Sequence, residues 1–363
     1  MKSLSKQHKI KVLIADDSPF MRMTLQRILE QDPDIEVVDV AHDGLEAIEK
    51  IQRLSPQVVI LDVEMPKMTG LQVLDEVMRW QPTPVIIMSA SAAKEGQLTL
   101  QALELGAVDA VVNPSLGRGV ALTDSARDLI EKVKAASGAD PRRIRSAAPS
   151  GEETKVKISG KRLKETSVPQ DRVELVAIGS STGGPPALQT VFINLPQNFP
   201  VPIIVAQHMP PGFTALLAQR LDKICQLKIK EAAQGDILQA GTVYIAPAGK
   251  QMQVQRRQRQ LTLQIDDEAL IPTVYHPSVD VMFSSVAKEI GSGALCAILT
   301  GMGSDGMKGM KEVKARKGFA VAEAEESCVV YGMPRAVIEA GLADRVAPLP
   351  EIGKIILECV MRR

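Results

Sequence analysis

The chain has 363 residues, with 43 Lys plus Arg against 43 Asp plus Glu, 45% apolar residues and 3% aromatics. That length exceeds what one hydrophobic core organises and predicts two domains; balanced charge and scarce aromatics exclude a bulk attraction to phosphate backbones or a base-stacking platform, so no nucleic-acid partner is expected. The four cysteines form no Cys-x-x-Cys pair, no charged-then-apolar leader precedes Lys11 and no apolar run reaches the ~18 residues of a membrane span, so a cytoplasmic protein without disulfides or membrane insertion is expected.

From Lys11 onward, short apolar runs alternate with amphipathic ones. Residues 12–15, 35–41, 58–61, 85–88 and 107–112 read as strands. Met21, Leu25, Ile28 and Leu29, then Leu71, Leu74 and Met78, and later Ala126, Leu129, Ile130 and Val133, fall at helical spacing. Five strands and five helices in alternation predict a parallel five-stranded (βα)5 sheet with helices on both faces, over residues 10–136. Periodicity then stops. Residues 137–170, rich in Pro, Gly, Ser, Arg and Lys and without an apolar face, read as a basic linker.

A second alternation starts near Val173 and gives a domain over 171–363: strands at 173–178, 203–206, 295–299 and 319–321, with helices from Pro186, Phe213 and Met307. Residues 243–246, 252–257 and 261–265 alternate with period two and read as a β-rich, hairpin-like excursion. The expected fold of this half is a doubly wound α/β domain with a β-hairpin insertion.

Open parallel sheets place functional groups at the carboxyl ends of their strands. In the first domain Asp16 and Asp17 follow the first strand, Asp62 ends the third and Ser89 ends the fourth. Three convergent carboxylates repel one another unless a cation joins them, and their hard oxygens suit Mg²⁺. A helix-capping role would account for Asp16 or Asp17 alone, but not for Asp62, which six residues or more separate from the next helix.

Ile14-Ala15-Asp16-Asp17-Ser18, Leu61-Asp62-Val63-Glu64-Met65-Pro66 with Gly70, Met88-Ser89-Ala90 and Asn113-Pro114 resemble the response-regulator receiver family. The resemblance implies that Asp62 accepts a phosphoryl group from a sensor histidine kinase, that Asp16, Asp17 and Asp62 hold Mg²⁺, and that Ser89 hydrogen-bonds the phosphoryl group. Two positions depart from the family pattern. Asn113 stands where the family carries Lys and Ala110 where it carries an aromatic switch residue, which predicts weak coupling of phosphorylation to output unless Asn113 itself contacts the phosphoryl group.

In the second domain Gly179-Ser180-Ser181-Thr182-Gly183-Gly184 follows a strand and precedes a helix. It lacks the Gly-Lys-Ser/Thr of a P-loop and the second Gly of a dinucleotide fingerprint, but fits Gly-x-Ser-x-Gly, a turn that exposes a nucleophilic serine. A serine needs a base, and of the four histidines only His208 and His276 lie in this domain. His208 ends a strand at the same sheet edge as Ser181 and is the candidate; His276, beside Pro277, lines or supports the site. Asp305, beyond the strand at 295–299, reaches that edge too, as the carboxylate that orients the base or as the cap of the helix from Met307.

The order Ser, His, Asp differs from that of α/β-hydrolases. Ile178 to Gly184, Gln207-His208-Met209-Pro210 with Phe213-Thr214, Tyr244-Ile245-Ala246-Pro247, His276-Pro277-Ser278-Val279-Asp280, Leu299-Thr300-Gly301-Met302-Gly303 with Asp305-Gly306, and Gly332-Met333-Pro334-Arg335 together resemble the chemotaxis protein-glutamate methylesterase family, CheB. The resemblance implies hydrolysis of glutamate γ-methyl esters, with deamidation of glutamines, on the cytoplasmic helices of methyl-accepting chemoreceptors, and no cofactor for the esterase step. It implies Ser181 as nucleophile, His208 as proton shuttle, Asp305 as its orienting partner, and backbone N–H groups near Thr182 and Met302 as oxyanion donors. A receiver driving a DNA-binding output would instead need a compact helical domain with a basic recognition helix, which residues 171–363 do not offer. A small-molecule serine hydrolase joined to a receiver is the other alternative.

Overall fold

The computed structural model describes residues 9–113, 122–140, 142–143, 168–268 and 272–362. Two compact units divide the chain, Met1–Arg145 and Ser146–Arg363. The expected linker at 137–170 lies largely outside the described residues, as does Pro114.

The first unit alternates strictly: β1 (Ile10–Ala15), α1 (Pro19–Leu29), β2 (Ile35–Ala41), α2 (Gly44–Leu54), β3 (Val58–Asp62), α3 (Gly70–Trp80), β4 (Val85–Ser89), α4 (Ala92–Leu105), β5 (Asp109–Val112) and α5 (Leu122–Ser137). The sheet is parallel, in the order β2-β1-β3-β4-β5. Its central strands are continuous apolar runs because helices cover both faces, and Val58, Val59, Ile60 and Leu61 of β3 are fully buried. The helices start on side-chain caps: Ser18, Asp43, Thr69 and Ser91 each accept a backbone N–H two or three residues into the turn. Ser18 therefore caps α1, and Asp16 and Asp17 are not its caps.

The second unit contains β6 (Leu175–Ser180), α6 (Gly184–Phe192), β7 (Ile203–Gln207), α7 (Phe213–Ile224), β8 (Lys228–Glu231), β9 (Thr242–Ile245), the pair β10 (Gln251–Arg257) and β11 (Gln260–Asp266), and α8 (Val279–Ile290). It continues with β12 (Ala294–Ile298), α9 (Met307–Ala315), β13 (Phe319–Glu323), α10 (Met333–Glu339), β14 (Arg345–Ala347) and α11 (Leu349–Met361). Seven parallel strands run in the order β14-β13-β12-β6-β7-β9-β8, and β10 and β11 form the separate antiparallel hairpin. The period-two run at 243–246 is a strand of the main sheet rather than part of the hairpin; alternation alone does not say which partner a strand takes. The short strands β8 and β14 carry no apolar run long enough to read from sequence.

The order of strands positions the site. From β6 the chain winds outward through β7 on one side, then returns to place β12 on the other, so the sheet reverses direction of winding at β6. Crevices outside the carboxyl ends of strands at such a reversal are where open α/β sheets bind ligands. The register keeps those ends level: Gly179 pairs with Ile298 and Ser180 with Gln207. Phe192, Phe199, Phe213 and Phe283 are fully buried, each contributing roughly 1.5–3 kcal/mol of transfer free energy to the core of this unit.

Candidate active site and acidic pocket

Ser181 follows β6 at once and is buried. Its N–H donates to the carbonyl of Thr300 at 3.0 Å, and its carbonyl receives Gly184 N–H at 2.8 Å, which closes the turn into α6. Two glycines are required for close approach here. A Cβ on Gly184 would lie 1.9 Å from Gln207 Oε1, and one on Gly301 would lie 2.7 Å from Ser181 Cβ. The loop after β12 thus passes directly against the serine, carrying buried Met302 with it.

Gln207, the last residue of β7, is fully buried and joins two segments that matter. Its Oε1 accepts Ser180 Oγ–H at 2.7 Å, and its Nε2 donates to the carbonyls of Ser181 and His208, each at 2.9 Å. His208 N–H in turn donates to Ser180 O at 3.0 Å.

His208 Nε2 lies 2.9 Å from Asp305 Oδ2, while Nδ1 is buried with no hydrogen-bond partner among the described residues. Burial alone would push the Asp305 carboxyl up, but the His208 hydrogen bond and charge and the N–H groups of Asp280 and Val279 outweigh it and hold it below the usual carboxylate range. Ionised Asp305 only accepts, so Nε2 carries the proton and Nδ1 offers the lone pair. His276 is exposed; its carbonyl receives Gly249 N–H at 2.9 Å.

Asp305 does not mainly cap its own helix. Oδ1 accepts Ser278 Oγ–H at 2.9 Å, Asp280 N–H at 2.9 Å and Gly306 N–H at 3.1 Å, and Oδ2 accepts Val279 N–H at 2.7 Å. Ser278, Val279 and Asp280 start α8, and only Gly306 belongs to the helix that follows Asp305, whereas Asp280 of α8 accepts Gly306 N–H at 2.9 Å and Gly309 N–H at 2.8 Å at the start of α9. The two helices are capped reciprocally. Burial first, and the Asp305 charge after it, raises the Asp280 carboxyl.

Thr300 is the third junction. Its N–H donates to Glu323 Oε2 at 2.8 Å, its hydroxyl donates to Thr182 O at 3.0 Å, and it accepts Val330 N–H at 3.0 Å. Glu323 is fully buried and also receives Ser327 Oγ–H at 2.9 Å. Gln207, Ser278, Asp280 and Thr300 fall inside the motifs that carry the family resemblance and Glu323 lies outside them, but nothing in the sequence assigns any of the five a bracing role. Only their positions at strand ends or helix starts mark them.

In the first unit, carboxylate oxygens of Asp16, Asp17 and Asp62 lie within 4.8 Å of one another. Burial and the Asp16 charge push Asp62 up to about 7, with Glu95 and Asp17 adding to the effect. Asp16 Oδ1 accepts Ser18 N–H at 2.8 Å, and Asp62 Oδ1 receives Glu64 N–H at 3.4 Å. Ser89 is buried at the same edge, and Asn113 N–H donates to its carbonyl at 2.9 Å. Buried Glu95 accepts Ala90 N–H at 2.6 Å. On α5, buried Lys132 pairs with Asp109 at 3.4 Å and Asp128 at 3.5 Å and donates to the Ala110 carbonyl at 2.8 Å. Three convergent carboxylates, one of them raised first by burial and then by the charge of its neighbours, are the donor set a hard divalent cation relieves.

Residues 176–356 match the family model described as CheB methylesterase, and residues 12–134 match the response regulator receiver domain. The chain is 55% identical to a protein-glutamate methylesterase/protein-glutamine glutaminase of Desulfitobacterium hafniense over 98% of both chains. It is 42% identical to the like-named protein of Thermotoga maritima over 97% of this chain and 98% of that one. The crystal structure of the Thermotoga maritima CheB methylesterase catalytic domain superposes with a TM-score of 0.50 at 44% identity, covering 52% of this chain and 99% of that one. With three convergent carboxylates in one unit and a serine, histidine and aspartate at one sheet edge of the other, the chain belongs to the CheB methylesterase family and carries a response-regulator receiver domain.

Proposed function

We propose that this chain hydrolyses glutamate γ-methyl esters, and deamidates glutamines, on methyl-accepting chemoreceptors, with Ser181 as nucleophile, His208 as general base through Nδ1, and Asp305 as the group that orients it. The observation that carries the reading is the 2.9 Å contact of His208 Nε2 with Asp305, which leaves a buried, unpartnered Nδ1 at the edge where Ser181 sits.

Ser181 Oγ attacks the ester carbonyl carbon as its proton passes to Nδ1. The C–O bond to the methoxy group then breaks, and His208 returns the proton to give methanol and an acyl-enzyme. Water, deprotonated by the same Nδ1, attacks the acyl carbon and releases a glutamate carboxylate and free Ser181. A glutamine side chain follows the same course with ammonia as the leaving group. Asp305 stays ionised and stabilises the imidazolium that forms between the two transfers. Backbone N–H groups of Thr182 and Met302 are the oxyanion donors, a role supported by the packing of the 300–303 loop against Ser181; one such donor is worth roughly 3 kcal/mol.

Asp62 is the phosphoryl acceptor from a sensor histidine kinase, and Asp16, Asp17 and Asp62 would hold Mg²⁺, a reading supported by the convergence of their oxygens. When bound, the ion would neutralise charge on the transferring phosphoryl group, and Ser89 and Asn113 would contact that group. The deciding experiment is methanol release from radiolabelled methylated receptor membranes by wild type and Ser181→Ala. Release by the alanine variant at a comparable rate rejects the serine mechanism. Hydrolysis of p-nitrophenyl acetate without methanol release turns the reading towards a small-molecule esterase.

A further inference from the structure

Two separate constraints act on the His208 ring. Asp305 fixes which edge of the imidazole faces it, because only Nε2–H can donate to Oδ2. A single hydrogen bond does not fix the plane of the ring, since the terminal torsion of histidine is broad. The plane is fixed by Tyr275, whose ring stacks on the imidazole with centroids 4.4 Å apart and planes 5° from parallel.

Tyr275 is itself held from both sides. Its carbonyl accepts Gln251 Nε2–H at 2.7 Å, and Gln251 Oε1 accepts Ser278 N–H at 2.9 Å. Its N–H donates to Thr273 Oγ1 at 3.1 Å. Its hydroxyl oxygen reaches the loop after β12, where a Cβ added to Gly303 would come within 3.2 Å of it. Gln251 is fully buried, and Ser278 is the residue whose hydroxyl donates to Asp305 Oδ1. One short segment, 275–280, thus supplies the stacking ring, the hydroxyl that orients the acid and the helix start that binds it.

We propose that Tyr275 is a positioning residue for the base: by stacking, it holds the imidazole in the plane that keeps Nε2 on Asp305 and aims Nδ1 at the reacting serine. The inference rests on the assignment of His208 as base. A stacked aromatic face also favours the imidazolium that exists only between the two proton transfers, so the effect falls on the chemical step rather than on substrate binding.

The test uses the full chain in two measurements. In wild type, the carbon-bound ring protons of His208 resonate upfield of those of exposed His276, through the ring current of Tyr275, and Tyr275→Leu returns them to ordinary positions. In methanol release, Tyr275→Leu lowers kcat by about tenfold with KM within about twofold, the size expected for a small misplacement of a catalytic group, and Tyr275→Phe restores most of the rate. Ordinary His208 resonances in wild type overturn the stacking and need no variant. A raised KM at unchanged kcat makes Tyr275 a substrate contact, and a phenylalanine variant as slow as the leucine one assigns its effect to the hydroxyl; either overturns the proposal. If Ser181→Ala keeps its activity, the serine mechanism fails while the resonance measurement still reports the ring geometry, which separates the two failures.

Discussion

At the scale of single residues, Ser181→Ala and His208→Ala are each expected to remove methyl-ester hydrolysis while leaving thermal unfolding little changed, because nucleophile and base act as a unit. Asp305→Asn is expected to differ in kind. An amide in its place aims N–H groups at donors, whether His208 Nε2–H, Val279 N–H or Asp280 N–H, so activity falls by about 10⁴-fold. Fold stability falls as well, by about 2 kcal/mol, through the lost start of α8. The variant also has a pH signature. Asp305 is held below the ordinary carboxylate range when folded, so its contribution is complete above the unfolded value near pH 4 and is lost as pH falls through the lower folded value. The gap in urea midpoint between wild type and Asp305→Asn should therefore narrow between about pH 5 and pH 2; a gap that widens on acidification would contradict the ionised carboxylate.

At the scale of elements, the sheet edge was legible and its bracing was not. Parallel strands that alternate with helices send every loop at their carboxyl ends to one side, so Ser181, His208 and Asp305 are assembled by topology alone and each is found by locating a strand end. The same reasoning locates Asp16, Asp17 and Asp62, whose carboxylates converge, and Ser89 at the end of β4. The groups that hold these residues at angles suited to chemistry lie far away along the chain, 26 positions from Gln207 to Ser181 and 27 from Ser278 to Asp305. Such pairings leave no periodic trace. Capping followed the same rule: a carboxylate before a helix reads as its cap, yet Asp305 and Asp280 serve each other's helices because α8 and α9 start side by side. Gln207→Met tests the bracing between β6 and β7. It removes the partners of the Ser180 hydroxyl and the His208 carbonyl and leaves the Ser181 carbonyl with Gly184 N–H alone, and is expected to cost about 2–4 kcal/mol of stability by denaturant unfolding together with a fall in kcat. Unchanged stability would mean that those groups find other partners.

At the scale of the whole molecule, the proposed phosphorylation of Asp62 would have to act on a serine in another unit. With Asn113 in place of a lysine, the pocket offers neutral hydrogen bonds where a charge-assisted bond would be about twice as strong, and the buried cation beside β5, Lys132, is committed to Asp109, Asp128 and the Ala110 carbonyl. Esterase activation by acetyl phosphate is expected to be weak, absent in Asp62→Ala and larger in Asn113→Lys. Strong, Asp62-dependent activation of wild type with no gain from the lysine would show that Asn113 and Ser89 suffice. A fragment of residues 171–363 is expected to release methanol by itself, because Ser181, His208 and Asp305 all lie within the second unit; a folded but inactive fragment would contradict this. The reciprocal caps of α8 and α9 carry a last consequence, for amide hydrogen exchange. Neither helix start can open without stripping donors from a carboxylate that the other needs, so the amides of Val279, Asp280, Gly306 and Gly309 should exchange as one slow cooperative set. Any opening that releases them also frees His208 from its acid, which ties the lifetime of the active state to the opening of these two helix starts.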